Sequence, residues 1–312
     1  MMPVAAMDPT TPMGGADGMW AMTGPMWMPT QPPSLARVLG VHLQPVPLVP
    51  LLGLLALAGY AVGVLALRRR GQRWPARRGL AWLAGIAILE LATTTGVEGY
   101  GMMVFSIHMA QHMALAMVVP ILLALAAPHR LIIAAVPTER VALRQALARL
   151  PATPAVRALT STPVRWSLFL ASLYGVYFTP LFGALMHTVW GHNLMLLHFL
   201  LTGWLFFGPL VASSPASAPR RLTETFAGAP LHAVFGLAVL LATRPMVPFF
   251  DDPDPRWGVT ALGDQTLAGS IAWVSSEVAT VLVAVIILGQ SLAALRRGGT
   301  SPAVDQTRSR LG

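Results

Sequence analysis

Two histidines four residues apart, His108 and His112, stand in an uncharged stretch of 26 residues from Met102 to Ala127. On a helix that spacing projects both imidazoles from one face. Met109 and Met113 repeat it one residue on and place two thioethers on an adjoining stripe. Burying imidazoles in a bilayer is costly unless they are paired, hydrated or ligated, so a polar cluster there points to function. Neutral imidazole suits copper, zinc and iron, and thioethers favour copper.

Other residues have compatible positions. His192 and His198 open a later apolar block, His187 ends the one before it, and His232 lies in the next. The last apolar block starts at Asp264 and Gln265, then carries Gly269, Trp273 and Glu277 four apart on one predicted helical face. At ~1.5 Å per residue, His108 lies roughly 9 Å and His112 roughly 15 Å below the outer membrane edge, with His198 near the depth of His108. Glu277 falls near the midplane, and His232 in the inner half. Together they outline a polar column, open to reading as a metal site or as a proton pathway.

These positions depend on the elements that carry them. The chain is 312 residues long, 55% hydrophobic and 11% charged, and the apolar residues gather in blocks long enough to cross a bilayer core. The spacing predicts an all-α integral membrane protein: a seven-transmembrane helical bundle with spans at 46–67, 79–95, 102–127, 164–186, 192–212, 228–246 and 265–290. All but three of the 21 basic residues, every one an arginine, fall in the tail or in alternate loops and their flanks. That puts the N-terminus outside and the C-terminus in the cytoplasm. Arg37, Arg244 and Arg256 are the exceptions. The predicted divisions are an extracytoplasmic, disordered Met/Pro-rich arm at 1–45, a membrane domain at 46–297 and a cytoplasmic tail at 298–312. The arm's methionines could capture a soft metal or could be simple low-complexity sequence. Thr138 to Leu150 reads as an amphipathic helix lying on the membrane or as a solvated connector.

Composition excludes several function classes. With no cysteine there is no disulfide, thiolate metal site or thiol redox chemistry. The basic residues are not interleaved with aromatics, which argues against nucleic acid. No Gly-rich phosphate loop, H-E-x-x-H pair or G-x-S-x-G elbow is present, so the expectation is a protein that is not an enzyme. Asp251, Asp252 and Asp254 read as an acidic turn between two spans.

Several blocks carry a family resemblance. Phe105 to Met113, FSIHMAQHM, resembles the FS-x-HM-x-QHM block of the multispan CtaG family of cytochrome c oxidase assembly proteins. The stretch from Gly191 to Pro209 is similar to that family's histidine-plus-GxLFF block. Asp264 and Gln265 through Gly269, Trp273 and Glu277 are similar to its DQ, Gly and Trp segment, and Pro230 to Gly236 also fits. The resemblance covers roughly residues 45 to 297. It implies a bacterial plasma-membrane protein that works with cytochrome c oxidase subunits and supplies copper to the oxidase during assembly. On that reading His108, His112 and His198 are direct metal ligands, and His232 and Glu277 are deeper ligands or orienting groups. His192, Met109, Met113, Asp264 and Gln265 are supporting residues, the last two shaping the mouth. Two other classes stay open: a membrane cytochrome with two axial histidines, and a proton- or metal-coupled transporter that uses Glu277.

Overall fold

A computed structural model describes residues 26–212 and 217–298, and every regular element among them is helical. In order these are Leu35–Leu39 (α1), Leu48–Arg69 (α2), Ala76–Thr94 (α3), Gly96–Gly101 (α4), Phe105–Met113 (α5), Val119–Leu125 (α6), Pro128–Ala135 (α7), Val141–Arg149 (α8), Pro154–Leu159 (α9), Thr162–Leu170 (α10), Leu181–Met186 (α11), Val189–Ala212 (α12), Ala218–Leu241 (α13) and Ala261–Gly298 (α14). The methionines at 1–22 and the tail beyond residue 298 lie outside the described residues.

Five stretches are long and apolar enough to cross a membrane: Leu48–Arg69, Phe105–Ala135, Val189–Ala212, Ala218–Leu241 and Ala261–Arg296. They mark a multi-pass membrane protein. Leucines and valines such as Leu55, Val62 and Val281 stand exposed along them, as they must where the surrounding solvent is hydrocarbon. The predicted spans at 79–95 and 164–186 are not among the five. In the first, α3 buries Trp82, Ile86 and Leu89 on one face but carries Arg77, Arg78 and Glu90. In the second, α10 passes into a π-helical turn at Ala171–Gly175, and the chain breaks at Thr179 and Pro180 before α11.

Pro120 shapes the histidine-bearing segment. It has no N–H to donate to the carbonyl of Ala116, four residues back. Between α5 and α6 the chain takes a π-helical turn, Ala114–Val118. Gly203 of α12 packs against the Ala116 carbonyl so closely that a methyl there would collide with it. A proline therefore frees a carbonyl on one helix, and a glycine lets the next helix approach it.

The core lies on both sides of this α5–α6 segment. One side joins α5, α10, α12, α13 and α14 through Phe169, Phe199, Phe206, Phe235 and Val283. The other packs α2, α3, α6 and α7 through Tyr60, Trp82, Leu89, Leu123 and Leu131. Helices α13 and α14 are in backbone contact, because Gly236 meets Trp273 and Gly269 meets Leu240 where no Cβ would fit. The last carbonyls of α12 are satisfied from outside the helix: Leu210 accepts from Arg221, and Val211 from Gln290. Arg165 donates to Phe206 and pairs with Glu224 at 2.7 Å. Arg165 and Arg221 are thus buried structural groups.

Residues 26–45, grouped with the arm by composition, lie across α3 and α4. Trp27 stacks on His42 at 3.8 Å and sits against Gly99, while Gln44 both donates to and accepts from the Trp27 backbone. His42 N donates to Thr94 O.

Candidate metal centre

Helix α5 begins where it does because a distant carboxylate caps it. The first N–H groups of a helix have no partner within it. Here Asp264 of α14 accepts from Phe105 N at 2.5 Å and from Ser106 N at 3.0 Å. Its neighbour Gln265 accepts from Met246 N and donates to Arg244 O, which fastens the loop after α13. That loop holds Phe250, stacked on Phe105 at 4.9 Å and 5.4 Å from the His108 ring. The Asp-Gln pair therefore sets both the start of the histidine helix and an aromatic cover beside it.

One turn into α5, His108 and His112 lie ring to ring at 3.9 Å. His192 joins them from the first turn of α12, whose start is fixed by Thr188 Oγ1 accepting from Gly191 N. Each of the three offers a nitrogen within 4.8 Å of the other two, and all three side chains are 0% exposed. His108 Nδ1 lies 3.1 Å from Gly101 O, so this nitrogen carries the proton and the Nε2 lone pair is free. His112 Nδ1 lies 3.0 Å from the Tyr177 hydroxyl. His108 Nε2, His112 Nε2 and both nitrogens of His192 have no hydrogen-bond partner. Each such buried orphan costs about 1–3 kcal/mol. A bound cation would offset that cost, so the donor set fits a metal ion.

Glu98 closes the site from α4. Thr95 caps that helix by accepting from Val97 N, and Glu98 sits in the first turn with an oxygen 3.7 Å from His192 Nδ1. Burial, which disfavours the charged form, pushes its carboxyl up to about 8. Phe182, 5.1 Å from His108, and Phe199, 4.5 Å from His112, complete an aromatic wall.

The other residues singled out by sequence lie elsewhere. His198 follows His192 by six residues, ~600° around the helix, so it faces another way. Half-buried, it donates from Nε2 to Ser172 Oγ at 2.8 Å, since that hydroxyl is itself donating to Leu168 O. His232 is buried in a separate cavity of about 30 Å³ lined by Met117, Phe169, Phe206, Ser276 and Thr280. Glu277 is on the outward face of α14 and exposed. Met109 and Met113 are buried in the core beside the histidines. Asp264 and Gln265 are buried fasteners.

Sequence reasoning gave no role to Glu98 or Tyr177. The one available signal for Glu98 was an acidic residue ten positions before His108, at the same end of the predicted span. Tyr177 had none.

No solved structure matches the chain. It is 37% identical over 269 residues to the uncharacterized protein Mb0105 of Mycobacterium bovis and to MT0111 of Mycobacterium tuberculosis, which covers 83% of this chain and 40% of each relative. The uncharacterized protein ML1998 of Mycobacterium leprae is 35% identical over 243 residues, or 74% of this chain and 37% of its own length. The chain thus spans about two fifths of the curated relatives it matches. The sequence model for the cytochrome c oxidase caa3 assembly factor matches residues 58–294, and the chain belongs to that family, Caa3_CtaG.

Proposed function

We propose that this protein is a non-enzymatic membrane assembly factor that holds a copper ion between His108, His112 and His192 and passes it to the oxidase core. One observation carries the reading: three buried imidazoles converge with four unpartnered nitrogens. Neutral nitrogen donors beside methionine-rich packing suit copper among the transition metals. The family's assembly role supplies the recipient. Glu98 and Tyr177 would orient His192 and His112, as outer partners of metal-bound histidines commonly do.

The proposed topology is seven spans, with α3 and the broken α10–α11 segment completing the five long helices, the N-terminus outside and the C-terminus in the cytoplasm. The arginine distribution supports it. The site then lies toward the extracytoplasmic side, where Glu98 and the 242–260 loop are found.

Metal analysis of the purified full chain tests the proposal. Copper should copurify with the parent, and His112→Gln should abolish both its retention and oxidase maturation at normal protein levels. Equal copper in parent and variant would mean these histidines only pack. A haem Soret band in the purified protein would favour a membrane cytochrome instead.

A further inference from the structure

Glu277 is stranded. It lies ~24 Å along α14 from Ala261 and ~28 Å from Arg296, at the middle of a candidate span. Its side chain is exposed, and no hydrogen bond or ion pair holds it among the described residues. Around it stand Val274, Val278 and Val281, each 56–60% exposed, and Trp273 at 39%. A carboxylate in hydrocarbon is costly, and such groups normally face a partner or a cavity. Nothing among the described residues provides one on that face.

We infer that this face of α14 docks against a transmembrane helix of another membrane protein that carries an Arg, Lys or His at mid-span. Charge complementarity selects that occupant. A second copy meeting about a two-fold axis through Glu277 would bring two carboxylates together. Nor do the described residues offer a free cation at that depth. The sequence has no lysine, Arg165 and Arg221 are buried in their own contacts, His232 is buried, His198 is bonded to Ser172, and the other described arginines lie in short helices, near the ends of long ones or in loops. The inference is independent of the metal, since Glu277 is outside the histidine cluster.

The chain has no cysteine, so single thiols can be placed cleanly. Val274→Cys and Val281→Cys, loaded with a photoactivatable crosslinker, are illuminated in native membranes. Leu54→Cys and Leu55→Cys on the exposed apolar face of α2 serve as controls. The α14 probes should join one membrane protein with a basic residue in the crosslinked span, and the controls should not. Glu277→Leu should lower the yield at least tenfold without changing protein level or bound metal. Glu277→Arg combined with an acidic substitution at the partner's basic residue should restore it. If Glu277→Leu fails to accumulate, Glu277→Gln reads the same loss of charge. Adducts to lipid alone, to a second copy alone or to a span without a basic residue would overturn the inference. So would a yield indifferent to Glu277.

Discussion

His192 and His198 are six residues apart on one helix and face different ways, and replacing each in turn separates the ligand set read from sequence from the one assembled by the fold. In His192→Gln the site keeps two imidazoles of three. Changing a group that only orients a ligand typically costs 10–100-fold in affinity. Loss of a direct ligand should exceed that, at least about 100-fold, or ~2.8 kcal/mol at ~1.4 kcal/mol per tenfold. His198→Gln removes one hydrogen bond to Ser172 on the far side of α12, and affinity should stay within about threefold. Stability of the metal-free protein should move the other way. Both His192 nitrogens are buried without partners, each at a cost of about 1–3 kcal/mol. His192→Leu should therefore raise the melting temperature of the apo-protein while abolishing binding. Competition against a copper chelator of known affinity, in detergent or nanodiscs, gives the first quantity, and thermal unfolding with and without metal gives the second. If His198→Gln loses metal as severely as His192→Gln, the assignment made here fails.

Further outcomes follow from other contacts. Asp264→Ala leaves two N–H groups at the start of α5 without an acceptor; charge-assisted bonds of this kind are worth about 1.5–3 kcal/mol, so lower thermal stability and weaker metal retention are expected, and an unchanged melting temperature would refute the capping role. Gly269→Ala drives a methyl into the Leu240 backbone and should sharply reduce the amount of folded protein in the membrane, whereas Gly59→Ala, with open space at its Cβ, should not. Glu98, raised to about 8 by burial, is mostly protonated at pH 7 in the apo-protein, and a nearby cation favours its ionised form. Metal binding at pH 7 should therefore release a proton and tighten as pH rises toward 8. Glu98→Gln should abolish that release, and calorimetry in buffers of different ionisation enthalpy would detect its persistence. Reporter fusions after Arg70 and Arg297 should read cytoplasmic and one near Pro253 outside; any reversal would break the proposed topology.

The histidine helix was legible in the sequence because its information is local: an i, i+4 pair in an uncharged run. The partner from α12 was harder to choose. Composition starts that helix at 192 and puts His198 at a matching depth. The Thr188 cap starts it at Val189, which leaves His192 buried in the first turn. Asp264 and Gln265 looked like residues at a mouth, because nothing local reveals a hydrogen bond between residues 159 apart in the chain. Glu277 shares a helical stripe with Gly269 and Trp273, but α14 is so long and so lightly covered that the stripe turns outward by mid-span. Periodicity identifies a face without saying what lies opposite.

The π-helical turn at Ala114–Val118 makes the helix act as two gears on one shaft. It accommodates one residue more than an α-turn, and each residue on a helix advances ~100°. Above it, His108 and His112 are indexed to α4, α12 and the aromatic wall; below it, Val119 and Leu123 are indexed to the α2–α3 side of the core. Winding the same residues as regular α-helix would rotate one half by ~100° against the other, with either the imidazoles or the lower core turned away from its partners. Point substitutions of the small apolar residues in this turn change shape alone. The phase between the two halves is held by the wide turn itself, which absorbs the one extra residue between Met113 and Val119.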